Sequence, residues 1–355
     1  MMKLPNLKER KVQLSLGASA LFIVFLFLAD AFLDPFSMQI FKLCAINIIL
    51  ALSLNLLNGF TGLFSLGHAG FMSIGAYTCA LLTMTTAQKE MNFFLKPIEP
   101  FLAHITIPFL PAMLIAGLVA AFFGFIIGAP TLRLRDDYLA IATLGFSEII
   151  RVVFTNLQTI TNGSLGIKGL PRFTTMWWAW GTAVLTVVLI VSLIHSSYGR
   201  AFKAIRDNEI AAEAMGINVF RMKLLSFVIS SFFAGIGGAL LAHHLTTIDP
   251  KQFMFLKTFD ILLIVVLGGI GSISGSIIAA IVVTILMEAL RFLDGPLNFI
   301  FFTTPGVPGI RMVVFSILLM VVILFRQQGL MGRKELSWSM IDGWIKSLRR
   351  IGKRS

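Results

Sequence analysis

Apolar runs of about twenty residues succeed one another along almost the whole chain, and that feature limits the fold more than any other. A helix rises ~1.5 Å per residue, so ~20 apolar residues cross ~30 Å of hydrocarbon. Such runs lie near 13–33, 39–58, 66–86, 110–129, 138–158, 177–195, 224–245 and 307–326, with a glycine-rich apolar stretch at 258–292. Each is too long and unbroken for a barrel strand, so the expected fold is an all-α integral membrane protein. It should be a polytopic bundle of about 8–10 spans, some of them broken or re-entrant. Composition agrees, because 57% hydrophobic and 13% charged residues exceed what a soluble core can hide. The run beginning after Lys11 passes signal-peptide length without a small-residue cleavage site and is read as a retained span.

The formal charge of +12 is distributed over particular loops. It therefore reports orientation under the positive-inside rule, and no nucleic-acid partner is expected. Lys3, Lys8, Arg10 and Lys11 place the N-terminus in the cytoplasm, and counting onward puts Arg133, Arg135 and the loop 197–223 on the same side. Segments 87–100 and 249–257 fall outside. The tail carries Lys346, Arg349, Arg350, Lys353 and Arg354, and Ile341, Trp344, Ile345, Leu348 and Ile351 fall opposite its charges, as in a helix lying on the lipid of the inner leaflet. A cytoplasmic tail requires 258–292 to cross twice or to enter and leave on one side. Gly268, Gly269, Gly271 and Gly275 at its middle make a broken helix pair the expectation, with an intact Gly-rich packing helix as the alternative. A second glycine-rich stretch, Asn58–Phe71, opens the third run, and paired interruptions of this kind point to a binding site near the midplane.

Residues 197–223 break the apolar pattern and read as one amphipathic helix. Ala201, Ala204, Ile205, Ala211, Ala212 and Met215 share a small apolar face interrupted by Asn208, away from Arg200, Lys203, Arg206 and Glu213. Such a face suits a helix seated in a groove of another protein.

Reactive chemistry is not expected. The stretch Gly163–Gly169 lacks phosphate-loop spacing, and no His-Glu-x-x-His, Cys-x-x-Cys or Gly-x-Ser-x-Gly occurs. The chain should not be an enzyme. Cys44 and Cys79 lie in apolar runs and read as packing residues. Ionisable groups within spans are costly and draw attention: His68 reads as a packing or pathway residue, Glu148 and Arg151 as an i,i+3 pair, and Asp260 as a group near the membrane surface. The cluster Leu132–Tyr138 is either a headgroup anchor or a second contact for a cytoplasmic partner.

Five motifs, GLFSLGHAGFMSIGAY, LRLRDDYLAIATLGFSEIIR, TNGSLGIKGLP, GRAFKAIRDNEIAAEAMGI and VVLGGIGSISGSIIAA, occur in this order. Together they resemble the LivM-like permease subunits of branched-chain amino acid ABC importers, over roughly 39–330. The resemblance implies a permease domain at 39–330, between an N-terminal part at 1–38 and a tail at 331–355. It implies a multi-pass protein of the bacterial inner membrane with both termini cytoplasmic. The implied partners are a LivH-like permease subunit, two cytoplasmic ABC ATPases that hold the ATP and Mg, and a periplasmic amino-acid-binding protein delivering leucine, isoleucine or valine. No cofactor is implied in this chain.

Carried over by motif, Gly199, Arg200, Ala201, Ala204, Arg206, Glu209, Glu213 and Gly216 fall on the coupling helix. Arg206 and Glu213 would lie in or beside the ATPase groove, and Gly216 would let the chain turn back. Ser65, Gly67, His68 and Gly70, with Gly268, Gly269, Gly271 and Gly275, would line or gate the pathway. Urea permeases and some sugar or nucleoside permeases share these motifs, which leaves the solute open. A stand-alone ion-coupled carrier would need mid-membrane carboxylates and no coupling helix, and a non-transporting membrane subunit is a third reading.

Overall fold

The computed structural model describes residues 24–134, 136–294, 297–298, 303–304, 309–325, 329–332 and 335. The basic N-terminus, Arg135 and the charged tail with its amphipathic pattern lie outside the described residues.

The apolar runs fold as helices, whose backbone groups are satisfied within the element as a membrane interior requires. In chain order these are α1 (24–32), α2 (Pro35–Asn55), α3 (His68–Thr83), α4 (Thr86–Asn92), α5 (Pro100–Ala103), α6 (Phe109–Thr131), α7 (Asp136–Asn156) and α8 (Gln158–Thr161). They are followed by α9 (Met176–His195), α10 (Ser197–Asp207), α11 (Glu209–Ala214), α12 (Val219–Leu245), α13 (Phe255–Gly268), α14 (Ile273–Ala289) and α15 (Ile310–Phe325). Among the described residues, six helices are long and apolar enough to cross a membrane: α2, α6, α7, α9, α12 and α14. The runs expected at 66–86 and the first half of 258–292 fold instead as shorter helices of 16 and 14 residues, and the described part of 307–326 is helical over Ile310–Phe325.

Two helices form the core. The span windows of α2 and α12 are both 72% buried, against 39% or less for the other four long helices. α12 packs on α2, α3 and α6, and α2 also meets α9, α13 and α14. Small residues permit this closeness: a Cβ on Gly75 would come within 2.1 Å of the Gly235 carbonyl oxygen, so α3 and α12 touch backbone to backbone. The outward faces of α6 and α9 carry Leu118, Phe122, Leu185 and Val188, all exposed.

Opposite the 197–223 segment, three loops interlock into a cap. Strand β1 (Ile167–Lys168) pairs antiparallel with β2 (Thr247–Ile248). Asn92 brackets Lys168, donating to its carbonyl at 2.9 Å and accepting from its N–H at 2.8 Å. Lys89, wholly buried, donates its ammonium to the carbonyls of Leu102 and Ile105 at 2.7 and 2.6 Å. Burial holds the pKa of that ammonium below its ordinary value of 10.5.

Candidate functional site

The third apolar run does not open as a helix. α2 widens into a π turn at Leu56–Thr61, Gly62 takes φ 79°, and the chain continues without helical structure to His68. π turns of this kind often mark functional positions. Since His68 Nε2 lies 2.8 Å from Ser53 Oγ, α3 starts beside a residue near the end of α2, about two turns before the end of the π turn. Residues 63–67 thus run back along α2, ~12 Å into the bundle for the eight residues from Ser53 to Thr61.

Open backbone at that depth needs partners, and side chains supply them. Ser65 N–H donates to Asn58 Oδ1 at 3.3 Å, Leu66 N–H to Thr143 Oγ1 at 3.1 Å, and Ala69 N–H to Thr258 Oγ1 at 2.9 Å. Gly67 and Gly70 lie against α7, where added Cβ atoms would stand 2.9 Å from the Thr143 carbonyl oxygen and 3.0 Å from Ser147 Cα. Ser65 and His68 are both buried.

The segment 258–292 is the broken pair expected from its glycines. α13 ends at Gly268, Gly269 and Gly271 take φ 112° and 84°, and α14 starts at Ile273 with Ser272 as its N-cap. Such φ values are open to glycine and strained for other residues. The two helices pack side by side as a hairpin, with Gly268 and Gly275 so close that a Cβ on the first would lie 2.6 Å from the second's carbonyl carbon. Asn55 pins the elbow: its Oδ1 accepts the Gly271 N–H at 2.9 Å, and its Nδ2 donates to the Ser272 carbonyl and Ser276 Oγ, each at 2.9 Å. The elbow meets the π turn, since a Cβ on Gly59 would fall 2.5 Å from Gly271 N. It therefore sits at the end of the bundle that carries α10.

Residues 197–223 are not one helix. Asn208 is extended (φ −161°, ψ 109°) and separates α10 from α11, its Oδ1 accepting the Ala211 N–H at 3.0 Å. This is an Asn N-cap in mid-segment. The continuous apolar face is lost with it. Phe202 and Ile205 of α10 are buried under the bundle, while Ile210 and Met215 of α11 are 81% and 83% exposed.

Arg206 also departs from expectation, turning toward the bundle. Its Nη1 donates to the Gly59 carbonyl at 3.2 Å, and its Nη2 and Nε contact Asp207 Oδ1 at 2.9 and 3.0 Å. Arg200 donates to Ser197 Oγ at 2.9 Å, Ala204 is half-buried, and Glu209 is paired with Lys223 of α12 at 2.5 Å. Glu213 is exposed. Gly216, at φ 84°, closes α11: its N–H reaches the Glu213 carbonyl at 2.9 Å and the Ile217 N–H reaches that of Ala212 at 3.1 Å.

Gly59 and Gly62 before the third run, Gly271 of the elbow and Arg206 of the 197–223 segment, far apart in sequence, thus meet, while Gly67, His68 and Gly70 lie deeper in the bundle. A cavity of about 490 Å³ opens there, lined in part by Phe60, His195, Lys203, Arg206 and Gly271. Among the described residues no group of His, Cys, Asp or Glu could hold a metal. The arrangement is a glycine elbow packed on a π turn whose Gly59 carbonyl is held by one arginine of a peripheral helix. Asn55, Thr143 and Thr258 escaped the reading of the sequence; Thr143 is an isolated polar residue in an apolar run, whereas Asn55 lies between Ser53 and Asn58 and Thr258 between Lys257 and Asp260, with nothing local to single them out.

Comparison with known proteins gives the arrangement a family. Residues 37–325 match the family described as branched-chain amino acid transport system / permease component. The high-affinity branched-chain amino acid transport system permease protein LivM of Salmonella typhimurium is 36% identical over 289 residues, covering 72% of this chain and 64% of that protein. The chain therefore spans less than two thirds of the length of that relative. A probable LivM of Methanocaldococcus jannaschii is 24% identical over 320 residues, covering 81% and 91% of the two chains. LivH of Escherichia coli K12 is 24% identical over 307 residues, covering 81% and 92%. No solved structure matches. With a family match over most of its length and a third of its aligned residues shared with a LivM protein, the chain belongs to the branched-chain amino acid transport permease family.

Proposed function

We propose that this chain is a membrane subunit of an ATP-driven importer that carries leucine, isoleucine or valine across the bacterial inner membrane. It works with a LivH-like partner permease, two cytoplasmic ATPases and a periplasmic binding protein. The observation that carries the reading is the α10–α11 segment: α10 is held by Arg206 to Gly59 of the π turn, which packs on the elbow, while α11 presents Ile210, Glu213 and Met215 outward. A helix that is gripped on one side and bare and apolar on the other suits the groove of a motor protein. When the ATPases close on ATP they displace α11. α10 moves with it, and Arg206 carries that displacement to Gly59 and the elbow, shifting the bundle between inward-open and outward-open states.

α7 supports a partner permease. It is the least apolar of the six long helices, with mean hydropathy 1.5, and also the least covered, at 28%. Its uncovered face carries Ile141, Ile149 and Val152, with the half-buried Glu148–Arg151 pair, 2.6 Å apart, at its margin, a surface that suits a neighbouring protein.

The test separates docking from transmission. In a strain lacking the chain, Ile210→Asp with Met215→Asp should abolish both radiolabelled leucine uptake and ATPase co-purification. Arg206→Ala should keep ATPase association and lose uptake by tenfold or more. Normal uptake in the double aspartate variant would remove α11 as the coupling element. If wild type fails to restore leucine uptake, the solute assignment falls and urea is assayed next.

A further inference from the structure

Beyond α15 the chain returns to the elbow. Leu330 N–H donates to the Leu267 carbonyl at 2.7 Å and Met331 N–H to that of Gly268 at 3.2 Å, closing two carbonyls that α13 leaves open at its C-terminus. Glu335 lies across the start of α14. Its carboxylate accepts the Ile273 N–H at 2.7 Å, the Ser274 N–H at 3.0 Å and the Ser274 hydroxyl at 2.6 Å. These are charge-assisted bonds to the positive end of a helix dipole, supplied from 62 residues further along the chain. The approach is close: a Cβ on Gly269 would stand 2.4 Å from the Gly332 carbonyl oxygen, and one on Gly329 would stand 2.7 Å from that of Val266.

The elbow is therefore gripped from two sides, by Arg206 through Gly59 and by this strap. Glu335 also lines the cavity of about 490 Å³ with Lys203 and Arg206, so its carboxylate faces the same space as two cations of α10. Hydrogen bonds of 2.6–3.0 Å are lost once the partners separate by much more than ~3.5 Å. A shift of α10 that drags the elbow must either carry the strap along or break these bonds.

We propose that residues 329–332 with Glu335 form a latch that holds the α13–α14 elbow in the state seen here and releases it when the coupling segment moves. Glu335 is a positioning residue in this scheme. The inference rests on reading α10–α11 as the coupling element, but the grip itself is testable without transport.

Hydrogen exchange at the elbow amides, measured on the assembled transporter in lipid, tests both parts. Without nucleotide, Glu335→Ala should speed exchange at Ile273 and Ser274 about five- to thirtyfold, the span expected for loss of a helix cap, with Glu335→Gln in between. Trapping wild type with ATP and vanadate should raise exchange at the same two amides to the level of Glu335→Ala, and trapping that variant should raise it no further. Unchanged exchange in both variants would show that the carboxylate does not hold the elbow and would overturn the proposal. Protection persisting in trapped wild type would overturn release and leave a static cap. That arm uses no variant, so a misfolded mutant cannot obscure it. If instead the ATPases fail to associate at all, the coupling reading fails while the nucleotide-free comparison still decides the grip.

Discussion

Asn55 is fully buried and makes three hydrogen bonds to a loop 216 to 221 residues away. A Cβ at position 59 would stand only 1.9 Å from its Oδ1, so Gly59 is the condition for that side chain to reach the elbow. Asn55→Leu keeps the branching of the side chain and leaves the Gly271 N–H unpaired, while the Ser272 carbonyl retains the Ser276 hydroxyl at 2.9 Å. A buried orphan donor costs about 1–3 kcal/mol, so the variant should unfold earlier in a thermal melt in detergent by that amount, with little change in expression. Residue-level roles were the least legible part of the sequence. Asn47, Asn55 and Asn58 look alike in their apolar surroundings, and only the return of the chain at Gly271 distinguishes the middle one. Arg206 stood out by its charge, yet the direction in which it points depends on a π turn that no local pattern announces.

At the scale of elements, the 197–223 segment and the unwound strand illustrate opposite failures. A helical wheel drawn over 197–223 finds a continuous face because it assumes continuous helix, whereas Asn208 followed by Ala211 is a cap that restarts the helix at a new angle. The cap was readable in the sequence and lost to the periodicity. The strand at 63–67 was legible only as glycine richness, because its hydrogen-bond partners come from α7 and α13. Thr143→Val and Thr258→Val remove the acceptors for Leu66 and Ala69 at nearly constant volume. Each should cost about 1–3 kcal/mol in unfolding titrations, and Thr143→Ser should recover most of the loss at its site. Equal stability of the valine and serine variants would mean that the backbone finds other partners.

For the whole molecule, the apolar runs and the charge parity were sufficient to foresee a helical bundle and a hairpin at 258–292, because both follow from what a membrane excludes. The interlocked cap at the far end was not foreseeable, since it depends on pairing between loops. Its buried Lys89 makes the cap sensitive to pH. The folded-state pKa lies below 10.5, so between the two values the unfolded loop holds a proton that the folded loop has shed, and stability rises with pH through that window. Limited proteolysis within 84–108 should therefore slow as pH is raised toward 10.5, after correction for protease activity; Lys89→Met should abolish the trend. The unwound strand has a further consequence, in the order of synthesis. Leu66 and Ala69 depend on residues made 77 and 189 positions later. When α2 and α3 leave the ribosome, the stretch between them still has open backbone groups that lipid cannot answer. The insertion machinery must shelter the first third of this permease until α7 and then α13 arrive to complete it.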